Sequence, residues 1–209
     1  TKVIGRDSHA AEAFAHRAFT YFGRGDLDRA ILDNTKAIDI RPDYVEAYGA
    51  RAIAYHKKSC FEEALSDYNK ASEIDPNAAS FYYDRALLYY KMGRFNEVID
   101  DCNKALEIVP NFVDAFIDRG LAYYEKSDFG QAISDFNKAI EINPSAARAF
   151  YNRGFVSLKC GDFDQVISDS SRAIKLEPYH ADSYENRAEA YLHKREYEKS
   201  WRDLRCFKA

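Results

Sequence analysis

Apolar residues recur along the chain in two alternating groups, and each group has the spacing of one face of an α-helix. In a unit of 34 residues counted from residue 11, the first group falls at positions 4, 8 and 11 and the second at positions 20, 24 and 27. Steps of four and three residues return to the same side of a helix. No segment shows the period-two alternation of a strand. The pattern predicts an all-α chain in which each unit holds two amphipathic helices, A and B.

The prolines give the register of these units. They stand 34 residues apart and occur nowhere else in the chain: Pro42, Pro76, Pro110, Pro144 and Pro178. A strict period of this length indicates a repeat architecture. The predicted array covers residues 11–209, with repeats at 11–44, 45–78, 79–112, 113–146 and 147–180 and a partial sixth repeat at 181–209. Residues 1–10 are an N-terminal extension or the remnant of a preceding repeat.

Small and aromatic residues alternate within each unit. Position 4 is always aromatic, from Phe14 to Tyr184, and position 8 is always Ala or Gly, as at Ala18 and Gly120. Small residues let helix backbones approach closely, and the rings fill the space beside them. A single helix pair cannot bury those rings, whereas stacked neighbours can. The units are therefore expected to stack into a solenoid.

Turn residues predict where the helices begin and end. Position 15 carries glycine in three units, which suits the left-handed residue that ends helix A: Gly25, Gly93 and Gly161. Position 16 carries an aspartate placed to cap helix B in three units: Asp26, Asp128 and Asp162. The residue after each of the first four prolines is expected to cap the next helix A: Asp43, Asn77, Asn111 and Ser145.

Together these columns resemble the tetratricopeptide repeat family over residues 11–209. The resemblance implies a right-handed α-solenoid of antiparallel helix pairs, whose concave face is lined mainly by the A helices. It also implies a non-catalytic role in protein–protein assembly. Position 24, often aromatic in that family, varies here, so uneven packing is expected there: Asn34, Tyr68, Cys102, Phe136, Ser170 and Leu204.

Two columns are constant and charged. Position 7 is arginine in all six units, from Arg17 to Arg187, and position 23 is aspartate in all six, from Asp33 to Asp203. The arginines are either a ladder for an acidic ligand or partners of the aspartates on helix B. Because one aspartate matches each arginine, we favour bidentate pairs that join the two helices.

The groove-facing positions that the resemblance implies predict a binding surface in repeats 3 to 5. An apolar strip with aromatic anchors and a few polar groups suits a peptide or a helix of a partner protein. Leu87, Leu121 and Phe155 at position 9 are equally compatible with packing in the core. The predicted groove residues are Tyr83, Asp84, Leu87, Tyr90, Ile117, Asp118, Leu121, Tyr124, Tyr151, Asn152 and Phe155.

The sixth repeat differs from the others in its charge. Asp182, Glu185 and Glu189 form an acidic stripe, which either attracts a basic partner or, as we favour, keeps the end of the array soluble. Trp201, Leu204 and Phe207 give the last helix an apolar edge. That edge is either covered by sequence beyond Ala209 or available for self-association.

Charge and composition narrow the classes of function. The net charge is −4, so the chain lacks the basic field of a nucleic-acid binder. No apolar run is long enough for membrane insertion, and the four scattered cysteines form no zinc spacing and favour a cytoplasmic setting. The five histidines form no metal motif, and no catalytic or phosphate-binding motif occurs, so no cofactor and no catalysis are expected.

Two special modes of the resembled family do not fit. A clamp for a C-terminal carboxylate needs Lys and Asn before Asn152, where Ile117 and Leu121 stand, and Lys and Arg after it, where Asp182 and Asn186 stand. An asparagine ladder at position 6 has only Asn152 and Asn186. The sequence therefore predicts a scaffold that binds a partner protein, and the alternatives are a self-associating repeat module or a targeting segment of a larger enzyme.

Overall fold

The computed structural model describes the backbone of residues 2–206 and the side chains of residues 9–205. Over that range every regular element is a helix. The predicted all-α solenoid of helix pairs, typical of tetratricopeptide repeats, is thereby confirmed. The described residues divide into two compact units, the first ending at Gly93 and the second beginning at Arg94.

The first unit holds five helices: α1 Lys2–Gly23, α2 Leu27–Ile40, α3 Val45–Lys57, α4 Phe61–Ile74 and α5 Ala79–Lys91. Each helix packs on the next one in the chain, and α1 also contacts α3. The links between them are only a few residues long, and links of that length join antiparallel neighbours. Helix α1 already includes residues 2–10, so the predicted N-terminal extension continues the first A helix.

The second unit holds seven helices: α6 Phe95–Ile108, α7 Val113–Glu125, α8 Phe129–Ile142, α9 Ala147–Cys160, α10 Phe163–Leu176, α11 Ala181–His193 and α12 Tyr197–Cys206. Consecutive helices pack on each other, and the A helices α7, α9 and α11 also contact one another in turn. Side chains on the A helices are therefore held next to each other within this unit.

The core of each unit is built from the small and aromatic columns. Tyr68 packs with Ala52 and Ala64 in the first unit, and Phe136 packs with Ala132 and Ala149 in the second. Both rings are almost fully buried, and a Cβ placed on Gly120 would lie 2.7 Å from Cε1 of Phe136. An added methyl group at Gly120 would overlap the Phe136 ring, so the ring would have to shift to admit it.

Helix ends follow the prediction at helix B but not at helix A. Asp26, Asp128 and Asp162 accept hydrogen bonds from backbone N–H groups three residues later. The predicted caps of helix A are wrong, because helices α3, α5, α7 and α9 begin one residue later than that prediction requires. Their N-caps make no side-chain cap bond: Tyr44, Ala78, Phe112 and Ala146.

The residue that ends helix A is left-handed in every unit. Gly25, Gly93 and Gly161 have φ angles of 79°, 71° and 78°. The other three units place a residue with a side chain in the same conformation, at Ser59, Ser127 and Arg195. The turn geometry therefore belongs to the repeat, and glycine only makes that geometry easier to adopt.

The invariant arginines join the helices of each unit. Bidentate hydrogen bonds connect Arg17 to Asp33, Arg51 to Asp67, Arg119 to Asp135, Arg153 to Asp169 and Arg187 to Asp203, with N···O distances of 2.6–2.8 Å. The interpretation that the arginines pair with helix B is confirmed for these five repeats. They are therefore not free to form a ladder for an acidic ligand.

A further column completes this arrangement and was not singled out from the sequence. The Nη1 atom of each arginine after the first donates to position 25 in helix B of the preceding repeat. The acceptors are all short and polar: Thr35, Asn69, Asn103, Asn137 and Ser171. Each guanidinium also lies over the aromatic ring at position 4 of its own helix, as Arg119 does over Phe116 at 5.3 Å. One arginine thus contacts three consecutive helices.

We expect Gly120→Ala to destabilise the fold by about 1–3 kcal/mol, because the added methyl group overlaps the fully buried Phe136 ring. Urea denaturation measures the change. Gly154→Ala is the matched control, since its Cβ would lie 3.3 Å from Cβ of Asp169 and should cost much less. A smaller cost of Gly120→Ala in a Phe136→Leu background would assign the effect to the ring. Equal costs in both backgrounds would contradict this reading.

We also expect acid to weaken the pair of Arg17 and Asp33. The hydrogen bond from Arg17 holds the pKa of Asp33 below its ordinary value. The stabilisation is therefore present above the unfolded pKa, about 4, and is lost as the pH falls through the folded pKa. Asp33→Asn should lower Tm at pH 7, and the difference from the native chain should shrink towards pH 3.

Asp28→Asn on the same helix is the control for that measurement. Asp28 is an exposed carboxylate that pairs with Lys58, and exposed pairs contribute little to stability. A Tm difference for Asp33→Asn that stays constant between pH 7 and pH 3 would show that the carboxylate charge is not what Arg17 requires.

Candidate functional site

Aromatic rings form a continuous series across the A helices of the second unit. The ring of Tyr124 on α7 lies 5.8 Å from Phe129 at the start of α8 and 5.3 Å from Phe155 on α9. Phe155 stacks on Tyr151 at 6.3 Å, and Tyr151 lies 4.7 Å from the ring of His180, just before α11. We call these five residues the aromatic series. These contacts hold the five half-buried rings next to one another.

Charged groups stand at two points of the aromatic series. The Nζ atom of Lys159 lies 5.3 Å from the centre of the Phe155 ring, a favourable cation–π position. At the other point the carboxylates of Asp182 and Glu185 lie near Tyr151. Burial raises the pKa of Tyr151, and the charges of Asp182 and Glu185 raise it further. The hydroxyl therefore stays protonated at neutral pH.

Buried polar groups lie on the same helices. Asp118 on α7 is 4% exposed and forms an ion pair with Arg148 on α9. Asn152 and Asn186 occupy position 6 of α9 and α11 and are also buried. Within the described part of the chain, the Nδ2 atom of each amide has no hydrogen-bond partner. Asp118 therefore joins two A helices, while the two amides keep unused hydrogen-bonding capacity.

The structure places the predicted groove residues of the second unit in two environments. Leu121, Tyr124, Tyr151 and Phe155 keep part of their side-chain surface exposed, as a binding surface requires. Ile117 is 2% exposed and belongs to the hydrophobic core. Its position offers a partner almost no surface, because the residue faces Phe136 and its neighbours. Asp118 and Asn152 are likewise enclosed, so they support the surface from beneath.

The remaining predicted groove residues lie on α5 in the first unit. Tyr83, Asp84, Leu87 and Tyr90 are all half-buried. Burial raises the pKa of Asp84 above its ordinary value. Their role in binding stays a prediction.

Three members of this surface were absent from the predicted set. Lys159 occupies position 13, one of the groove-facing positions of the resembled family, so a sequence signal existed for it. Phe129 stands at position 17, which carries Leu, Phe or Tyr in every unit and is not one of the groove-facing positions of the resembled family. His180 stands at position 34, where the other units carry Tyr44, Ala78, Phe112 and Ala146. No periodic signal marks His180, and only the fold brings it to Tyr151.

Within the part of the chain that the structure describes, no three His, Cys, Asp or Glu side chains are grouped so that they hold a metal ion. No helix in that part combines the length and the hydropathy needed to cross a membrane.

Comparison with known proteins agrees with the helix-pair architecture. A family profile described as "TPR repeat" matches residues 60–93 and 120–161, and one described as "Tetratricopeptide repeat" matches residues 79–112. No curated protein sequence matches the chain.

Solved structures with the same fold cover nearly the whole chain. A tetratricopeptide repeat protein from Parabacteroides merdae is 22% identical over 94% of this chain and 78% of its own, with a TM-score of 0.81. PilF from Pseudomonas aeruginosa is 18% identical over 94% of this chain and 90% of its own, with a TM-score of 0.80. YrrB, described as a TPR protein with an unusual peptide-binding site, is 21% identical over 93% and 96%, with a TM-score of 0.72.

Proposed function

This chain belongs to the tetratricopeptide repeat family, and from that premise we propose that it is a non-catalytic scaffold that binds a segment of another protein along the aromatic series of its second unit. Proteins with these repeats bind other proteins. The observation that carries the proposal is the continuous ring contact from Phe129 through Tyr124, Phe155 and Tyr151 to His180.

Aromatic side chains suit this role because they offer large apolar contact area at a small cost in side-chain entropy. Here each ring is already held by its neighbours, so little further ordering is needed when a partner binds. Phe155 is the centre of the series, since it contacts both Tyr124 and Tyr151 and lies beneath Lys159. It is the expected energetic anchor. A peptide-binding site described for YrrB is consistent with such a role for the fold.

We expect Phe155→Ala to weaken binding of a partner peptide by about tenfold or more, because central aromatic anchors dominate interface energies. Peptides selected by the native chain from a random displayed library provide the ligands, and calorimetry provides Kd. Tyr197→Ala, which removes an exposed ring on α12, is the matched control and should leave Kd unchanged. Helical circular dichroism checks that both variants fold.

Two outcomes contradict the proposal. One is that the native chain selects no peptide family from the library. The other is that selected peptides bind Phe155→Ala as tightly as they bind the native chain, which would place the binding surface elsewhere.

A self-associating module is the second candidate. Trp201 is 64% exposed and Leu204 is 40% exposed on α12, so an apolar edge is uncovered there. Phe207, the third residue of the predicted edge, lies outside the described residues. We expect the native chain to form larger species in light scattering as its concentration rises, and Trp201→Ala to reduce them. A chain that stays monomeric at high concentration rules this candidate out.

A further inference from the structure

The outer side of α1 lacks the neighbour that every later helix A has. In the later repeats helix B of the preceding repeat covers this side, and Val156 on α9 therefore shares a core cluster with Phe136 on α8. Position 10 is only 0–1% exposed from the second repeat to the sixth. No helix precedes α1 in the described part of the chain, and its equivalent residues, Ala13 at position 3 and Thr20 at position 10, are exposed.

The arginine at position 7 of α1 has one donor group unused. Later arginines use Nη1 to donate to position 25 of the preceding helix B, as Arg119 does to Asn103. Within the described residues Arg17 donates side-chain hydrogen bonds only through Nε and Nη2, both to Asp33. Its side chain is 53% exposed, whereas those of the arginines in repeats 2, 4, 5 and 6 are 16–18% exposed.

Position 14 shows the same difference between the first repeat and later ones. In the second, fourth and sixth repeats a lysine there donates to position 18 of the preceding helix B: Lys58 to Asp28, Lys126 to Asn96 and Lys194 to Asp164. In the first repeat this position holds Arg24, which is exposed and whose side chain donates to no described residue. Arg17 and Arg24 therefore offer two unused donors, seven residues apart, on one side of α1.

These donors define the kind of helix that can cover α1. Both bonds occur together in three helix pairs, α2 with α3, α6 with α7 and α10 with α11, and the acceptors stand at positions 18 and 25 of helix B. Residues seven positions apart lie on the same side of a helix. Position 21, between them, is isoleucine in all three: Ile31, Ile99 and Ile167. A matching helix carries Asp or Asn, an apolar residue three positions later, and Asn, Ser or Thr seven positions later.

A second copy of this chain does not meet that requirement. Its last helix B is α12, where position 18 is Glu198 and position 25 is Arg205. In the register of the repeat Arg205 would stand opposite Arg17, and like charges facing each other oppose association. The unpaired positive charge of Arg24 on the same side of α1 favours an acidic helix.

We propose that the outer side of α1 binds an acidic, amphipathic helix of a partner protein, in which Arg24 finds an Asp or Asn and Arg17 finds an Asn, Ser or Thr seven residues later. The partner helix takes the place that helix B of a preceding repeat has in the later units. The proposal does not depend on the aromatic series, because every residue of this surface lies in the first unit. It gives the scaffold a separate attachment point outside the groove.

The probe is a synthetic peptide of residues 93–110 with Cys102→Ser, since this segment contains α6 with both acceptors, Asn96 and Asn103. The protein is the full 209-residue chain. We expect the peptide to shift the methyl resonances of Ala13 and Thr20 in carbon–proton correlation spectra. Binding should occur at roughly millimolar concentrations, because a short helix must become ordered as it binds.

A double-mutant cycle tests the pairing of Arg24 with Asn96. Arg24→Ala should weaken binding of the probe about threefold, as expected for one exposed charged contact. The same change should not alter binding of a peptide that carries Asn96→Ala. A peptide with Asn103→Ala should bind the native chain about tenfold more weakly, because Arg17 loses its acceptor, although alanine favours the helical state of the peptide.

Phe19→Ala is the matched control on α1, because Phe19 is 77% exposed and stands at position 9, a groove-facing position of the resembled family. It should leave peptide binding unchanged, and so should Phe155→Ala in the second unit. Failure of this proposal is therefore distinguishable from failure of binding along the aromatic series. Helical circular dichroism checks that each variant folds.

Four results would overturn the proposal. The Ala13 and Thr20 methyl resonances do not shift, or Phe19→Ala abolishes the shifts because the peptide lies in the groove. Arg24→Ala weakens the probe and the Asn96→Ala peptide equally, because general attraction between opposite charges accounts for binding. A peptide of residues 195–209 binds this side of α1 more tightly than the probe does, which makes a second copy of the chain the occupant.

Discussion

The architecture depends on one guanidinium group per repeat. Each position 7 arginine in a described pair forms two hydrogen bonds to an aspartate on helix B of its own repeat, and after the first repeat a third bond reaches helix B of the preceding one. The planar, permanently charged fork makes this geometry possible, and lysine has no equivalent. Removing two charges from water is costly, so these pairs are better understood as fixing helix orientation and register than as a large net source of stability.

Fixed A helices are the condition for a binding surface in this fold. The aromatic series involves side chains from three helices and one link, and its ring contacts of 4.7–6.3 Å require those elements to keep their relative positions. The arginine of α9, Arg153, stands two residues before Phe155 and ties that helix to both α10 and α8. On α9, the arginine that holds the helix in place therefore lies close to the residues that are candidates for partner binding. The hydrogen bonds of Arg153 therefore help to fix the position of the Phe155 ring on the same helix.

Much of the fold was predictable because the repeat presents each constraint several times. The proline period, the left-handed Gly161 and the aspartate caps of helix B are local rules with local causes, and the structure agrees with them. The caps of helix A were predicted wrongly because a polar residue beside proline fits a cap as well as a turn. Ile117 shows a second limit: its position in the repeat faces the groove in the resembled family, yet its side chain lies in the core. His180 shows a third, since its contact with Tyr151 arises only from the path of a link.

Position 24 shows how one column of the repeat can vary while the helices keep their arrangement. A large ring there packs against a small facing residue, as Phe136 does against Gly120. A shorter residue there leaves a small apolar pocket beside it, as at Asn34. Both choices are compatible with the same backbone, because the arginine pairs and the turns hold the helices whichever side chain is present. Variation in this column therefore changes the side-chain packing of single repeats and leaves the course of the backbone unchanged.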